Sequence, residues 1–392
     1  TVGAIAIRIA ARRTSANNRA RQMRLQETIV AVCLALLLCS PLAAQARRKV
    51  IIDQDARGPA TTDQQSILVF LQSPEVETLG ITVVSGDQWR DEEVAHALRL
   101  LEIIGRTDIP VVPGAVFPLI NSREMVVRWE KVYGKVIYQG AWNWGHVHDP
   151  FVVPPLLEGN PTTKPADEDA AHFLIQMVHQ YPHQISIYAG GPLTNLALAT
   201  RIDPQFPTLA KELVVMSGSV NPGRSDPEFY AAPRREFNFW FDPEAAHIVL
   251  CALWPKITVT TVDISITTHL TKEMIAQIAR ANAPVAQYIG KYADEEYMWD
   301  ELAAAAWLDP GIITKEETIY MDVDITHGAS YGDTLTWTPG NQPGLGEQLV
   351  HMQIDLDRNK LYKLFIDLMT RPTPGARASM PNAFEEQHGS SN

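Results

Sequence analysis

From residue 49 onward, short apolar runs alternate with stretches whose apolar positions recur every three or four residues. Lys49–Asp53 (KVIID), Thr78–Val84, Ile109–Val112, Ile185–Ala189, Glu212–Met216 and Ile257–Val262 have the length and branched side chains of buried strands. Asp63–Leu71, Asp91–Ile104, Asp167–Gln180, Thr194–Thr200 and Pro243–Ala252 carry the helical spacing between them. Strands alternating with helices predict parallel βαβ units, hence an α/β fold with an open, mostly parallel, Rossmann-like sheet and helices on both faces. Two stretches break the rhythm. Residues 116–166, polar and aromatic, read as an insertion or lid. Residues 319–357 (IYMDVDI, TLTWT, VHMQIDL) read as a small β-rich C-terminal addition, followed by a helix near Lys360–Met369.

Before residue 47 the pattern is different in kind. Met23-Arg24 opens a polar stretch, Thr28–Leu42 is largely apolar, and Ala44-Gln45-Ala46 closes it. That is the n-region, h-region and A-x-A order of a secretory signal, with residues 1–22 expected to be translated upstream sequence. The run is too short for a comfortable membrane span, so no stable membrane insertion is expected after processing. The expected organisation is a signal with its extension at 1–46, a catalytic domain at 47–370, and a disordered tail at 371–392 rich in Pro, Gly, Ser and Asn. Such a product is periplasmic or secreted. Cys33 and Cys39 leave with the signal, so Cys251 is the one remaining thiol and no internal disulfide can form.

The chain carries a formal charge of −12; six arginines against Glu27 put +5 in residues 1–46 and leave −17 for the rest. An acidic body argues against a nucleic-acid partner, whose phosphates need Lys and Arg to displace counterions. Chemistry is expected at strand ends, because open parallel sheets bind ligands beyond the carboxyl ends of their strands. Asp53 and Asp55 lie where the first strand runs out, and Asp63 opens the next helix. Carboxylates crowded there repel unless a cation sits between them, and all-oxygen ligation suits calcium or magnesium. The same residues have bland readings: Asp63 as an N-cap and Asp55 as a turn residue.

Taken together, the motifs resemble those of the inosine-uridine nucleoside hydrolase family over roughly 49–370. The family's first strand ends in D-x-D-P-G-x-D-D; here Asp53-Gln54-Asp55 is followed by a loop about three residues longer that reaches Thr62-Asp63. Counting back from Ser73-Pro74-Glu75 puts Asp63 on the second Asp of the pair and Thr62 in place of the first, which in the family helps hold the ribose. Val84-Ser85-Gly86-Asp87, Gly191-Pro192-Leu193-Thr194-Asn195, Glu236-Phe237-Asn238 with Asp242-Pro243-Glu244-Ala245-Ala246, and Trp299-Asp300 follow in the family's order.

The resemblance implies a calcium ion held by Asp55, Asp63, Asp300 and the Gly190 carbonyl, with Asp55 as general base. It implies ribose contacts from Asp87, Glu236 and Asn238, a small-molecule ribonucleoside substrate and a homo-oligomer. Trp299, where other members have His, and Asp87, where others have Asn, resemble the purine-preferring inosine-adenosine-guanosine type, in which aromatic rings stack on the base. Trp142 or Trp144, in the Gly140–Pro150 segment that resembles a mobile family loop, would supply the second wall. His146 and His148 share that segment, and a loop histidine is more often inert. Structural readings stand beside these: Asp87 as a helix cap, Asp300 as an N-terminal helix charge, Trp299 as core, Asp242 and Asp309 as caps before proline. Two rival functions stand beside this one: a periplasmic calcium-dependent nucleoside- or sugar-binding protein or degenerate hydrolase, favoured by the altered Ala56–Thr62 loop, and a phosphotransferase, a class that also begins from a D-x-D strand end. The second lacks a recognisable lysine and later acidic pair.

Overall fold

The computed structural model describes residues 47–376 except 144–147 and 224–226. The expected signal, Trp144, His146 and residues 377–392 of the expected tail lie outside the described residues. Nine strands form one sheet in the order β3-β2-β1-β4-β5-β6-β9-β7-β8. β1 (Arg48–Gln54) pairs in parallel with β2 (Val76–Val83) on one side and β4 (Ile185–Ala189) on the other. β3 (Val111–Pro113), β5 (Glu212–Met216) and β6 (Ile257–Thr260) extend the parallel array. β9 (Gln348–Leu356) joins β6 in parallel, and β7 (Ile313–Val323) runs antiparallel to both β9 and β8 (Thr334–Trp337). The β-rich C-terminal stretch therefore continues the main sheet rather than forming a layer of its own.

Parallel strands covered on both faces read as unbroken apolar runs, and alternate residues feed opposite cores. Val50 and Ile52 pack into one cluster with Ile67, Phe70 and Leu302, while Ile51 packs into the other with Ile187, Leu196 and Phe239. Helix α1 (Thr62–Leu71) is buried along its whole length. It packs beside α2 (Trp299–Leu308), whose Ala303–Ala306 run lets the two backbones approach closely. Among the described residues no helix is long and apolar enough to cross a membrane.

The segment expected as a lid holds a helix, Arg123–Tyr133, capped by the Ser122 side chain on Met125 N–H, and a one-turn 3-10 helix, Gly140–Trp142. Met125, Trp129 and Tyr133 repeat at helical spacing along the longer helix, although Val126 alone of its residues is buried. Trp89, Trp142, Trp240 and Phe241 form a third apolar cluster that fastens this segment to the body.

Candidate active site

Strand order reverses between β1 and β4, and a cavity of about 240 Å³ opens beyond the carboxyl ends of these strands. The sheet delivers each wall. β1 leads into Asp55, β2 into Gly86-Asp87 and β4 into Gly190, and β5 ends at Met216. Helices α1 and α2 bring Asp63 and Asp300 in their first turns. There the unpaired N–H groups and the helix dipole favour negative charge. Asp63 is therefore not the cap; that position is Thr61, which makes no side-chain cap bond. Asp87 does not cap the following helix either, whose N-cap is Trp89.

Asp55, Asp63 and Asp300 are each at most 3% exposed. Burial first, and then Asp63 and Asp87, raises the Asp55 carboxyl well above its ordinary range. Burial and Asp87 do the same to Asp63, and burial holds Asp300 up at about 7. Glycines make this crowding possible. A Cβ on Gly191 would lie 2.7 Å from the Asp55 nitrogen, and one on Gly190 would lie 2.6 Å from Asp300 Oδ1. Asp87 N–H donates to Asp55 Oδ2 at 3.0 Å, and Tyr188 O–H donates to Asp300 Oδ1 at 3.3 Å. Behind the site, Asp53 is locked by Thr82 Oγ1 at 2.6 Å and Asn195 Nδ2 at 2.8 Å, which fixes the strand end. Buried carboxylates with raised pKa values, beside a backbone carbonyl, are an oxygen donor set for a hard cation.

The other expected residues are brought to the same cavity. Glu236 caps the short helix Phe237–Phe241, accepting from the N–H groups of Gly218, Asn238 and Phe239, and burial still raises it to about 7. Asn238 Nδ2 donates to the Gly190 carbonyl at 2.7 Å and to the Met216 carbonyl at 3.1 Å, so it sets the carbonyl's position. Trp299 lines the cavity beside Phe229, the two rings meeting edge to face with centroids 6.1 Å apart. Trp142 does not line it. It stacks on Phe241 at 4.4 Å in the third apolar cluster, because burying a flat indole against another ring removes more apolar surface from water. Phe229 is the aromatic residue that lines the cavity with Trp299 instead. His148 lies on the rim of a neighbouring cavity and is bonded to Glu92 at 2.7 Å. Asp242 and Asp309 cap, accepting from Ala245 and Gly311 N–H.

Sequence reasoning missed Arg57. The longer β1–α1 loop turns this side chain into the acid cluster, where it is only 12% exposed. Its Nη1 lies 3.1 Å from Asp87 Oδ2 and 3.3 Å from the Tyr138 hydroxyl, and Nη2 lies 3.2 Å from Glu296 Oε1. Burial works against the charge, but Asp87, Tyr138, Asp63 and Glu296 together hold the guanidinium above its ordinary range. Arg57, Asp87 and Glu296 also line a second cavity of about 1000 Å³, so they stand as a partition between the two. Thr62, in the place of the family's first paired Asp, donates to Glu301 Oε2 at 2.6 Å and to Asp300 Oδ2 at 3.3 Å.

Residues 50–363 match the family model described as inosine-uridine preferring nucleoside hydrolase. The chain is 32% identical to probable uridine nucleosidase 2 of Arabidopsis thaliana over 251 residues, covering 64% of this chain and 70% of the relative. It is 28% identical to the inosine-uridine preferring nucleoside hydrolase of Crithidia fasciculata over 342 residues, covering 83% and 98%. Among solved structures it is similar to a plant nucleoside hydrolase, with a TM-score of 0.65, 26% identity, and coverage of 83% of this chain and 99% of the other.

Proposed function

The chain belongs to the inosine-uridine preferring nucleoside hydrolase family and is a nucleoside N-ribohydrolase, and on that premise we propose that it is calcium-dependent and prefers purine ribonucleosides. The observation that carries this reading is that Asp55, Asp63, Asp300 and Gly190 line one small cavity together with Trp299 and Phe229. Asp55, Asp63, Asp300 and the Gly190 carbonyl would hold the calcium, which when bound supplies a Lewis acid that lowers the pKa of a water.

Asp55, buried and fixed by Asp87 N–H, takes the water's proton as general base. Its rigidity keeps the attacking geometry fixed through an oxocarbenium-like state. Asp87, Glu236 and Asn238 hold the sugar hydroxyls. Glu236 has already accepted three backbone bonds, which leaves it about one lone-pair site for a hydroxyl. A base stacks against Trp299 or Phe229, and the broad face of a purine covers more of either ring. The Arg57 guanidinium and Tyr138 hydroxyl add donors on the same wall. Export to the periplasm or medium, and assembly into a homo-oligomer, complete the proposal.

The test is release of free base and ribose from inosine, adenosine, guanosine, uridine and 2′-deoxyinosine, with calcium and then with chelator. Expected are chelator-sensitive cleavage, faster purine turnover, and 2′-deoxyinosine slower by at least about a hundredfold, since buried partners of the missing hydroxyl stay unmet. Asp55→Ala should abolish cleavage. Equal or faster uridine turnover overturns the purine preference. Calcium binding without cleavage of any riboside would show that the Arg57 loop has turned the site into a binder.

A further inference from the structure

At β7, beyond the strands that end at the pocket, three unlike ligand groups converge. His247 and Cys251 are four residues apart at the end of the helix Pro243–Leu250, hence on one face of it, and Cys251 is its C-cap. This helix packs on β7, which carries Asp322. His247 Nδ1 stands 2.9 and 3.0 Å from the two Asp322 oxygens. Cys251 Sγ is 3.7 Å from that nitrogen and 3.8 Å from Asp322 Oδ2. Among the described residues, this group of His, Cys and Asp has all its ligand atoms within 4.8 Å of one another.

We propose that His247, Cys251 and Asp322 form a second metal site, for a borderline dication of the zinc class and separate from the catalytic pocket. The argument is geometric. With Zn–S near 2.3 Å and Zn–N or Zn–O near 2.0–2.1 Å, tetrahedral angles place sulfur about 3.6 Å from the other two ligands and nitrogen about 3.3 Å from oxygen. The observed separations match these edges to within a few tenths of an ångström. Imidazole, thiolate and carboxylate together select zinc-like ions, whereas calcium and magnesium take oxygen.

The surroundings suit a three-ligand site with an open fourth position. All three residues are partly exposed, so an ion and a water can reach them. The Val323 N–H donates to Asp322 Oδ1 at 2.8 Å and orients the carboxylate from behind. Gly346 passes Cys251 with φ +117 and no side chain; a Cβ there would stand 3.9 Å from the sulfur. None of the three ligands lines the catalytic cavity, so the site does not rest on the hydrolase reading. The competing reading of the same distances is a His247–Asp322 ion pair with a bystander thiol. In that pair Asp322, and then Cys251, holds the imidazolium up to about 10, and an incoming metal has to displace its proton.

The experiment strips the full chain with chelator, saturates it with calcium, and titrates with Zn²⁺ and separately with Co²⁺. Expected are one equivalent of zinc above background and, with cobalt, a near-ultraviolet thiolate-to-metal band with intense tetrahedral visible bands. Cys251→Ser should remove the charge-transfer band, and Asp322→Asn should weaken uptake at least tenfold. Asp55→Ala should leave both signals intact, so failure of the catalytic reading stays distinguishable. A wild-type cobalt spectrum without the thiolate band overturns the proposal, as does zinc uptake unchanged by Cys251→Ser. The wild-type spectrum decides the matter even where a variant folds poorly.

Discussion

Arg57 places a fixed positive charge beside the acids expected to hold a cation, contacting Asp87 at 3.1 Å and approaching Asp63 at 3.9 Å. At an effective dielectric near 20, each such charge relation is worth one or more kcal/mol, so one guanidinium offsets a good part of the pocket's field. Arg57→Met, which keeps the bulk, should tighten the apparent calcium Kd about tenfold. It should also raise KM, because Asp87 loses the partner that orients it. Calorimetric calcium titration and steady-state kinetics check this; an unchanged calcium Kd would mean that the guanidinium does not share the ion's field. Thr62 gives the opposite lesson. Restoring the family's acid with Thr62→Asp would set a carboxylate against Asp300 and Glu301, both of which now accept from the Thr62 hydroxyl. An extra buried charge there should destabilise by about 3 kcal/mol, read as a lower denaturation midpoint with calcium present. Gain of activity without loss of stability would show that the longer loop leaves room for the acid.

At the scale of elements, the site depends on how tightly β1, β2 and β4 end against one another. A Cβ at Gly86 or Gly191 has no room beside Asp55. Gly191→Ala should therefore displace Asp55 from the water it activates and lower kcat by about tenfold or more, with KM less affected and a stability loss of about 1–3 kcal/mol from overpacking. Parallel changes in kcat and KM would place the damage in substrate binding instead. These strand ends were legible in the sequence, because buried parallel strands are continuous apolar runs: Ile185–Ala189 and Glu212–Met216 appear at the expected residues. Asp55, Asp63, Asp87 and Asp300 were legible because each follows such a run or opens a helix. The β1–α1 loop was not. Arg57 takes its place from Tyr138 and Glu296, partners far along the chain that no local pattern announces. Trp142 was misplaced for the same reason, its packing partners being Trp240 and Phe241. Phe229 was overlooked because a phenylalanine in a five-residue helix carries no period.

For the whole molecule, the acid cluster ties folding to both pH and metal. Asp300 stands at about 7 against an ordinary 3.8, chiefly through burial; Asp55 is raised well above its ordinary range by burial and then by Asp63, and Asp63 by burial and then by Asp87. A carboxyl whose folded pKa lies above its unfolded value contributes stability that is full below the unfolded value and is lost as pH rises through the folded one. In chelator, then, the protein should lose stability between pH 5 and pH 8, as the fold is forced to hold charges that repel. Asp300→Asn should flatten that decline, since the amide never ionises, and the comparison isolates this group from others titrating in the window. Calcium should reverse the trend, because the ion binds the ionised cluster in the native state and stabilises it by about 2.7 kcal/mol at a hundredfold excess over Kd. Thermal unfolding of wild type and Asp300→Asn, at pH 5 and pH 8, with calcium and with chelator, measures all of this together. If the wild type in chelator is as stable at pH 8 as at pH 5 and calcium shifts neither midpoint, the carboxylates are compensated within the protein. Arg57 would then be the cation the cluster was built around.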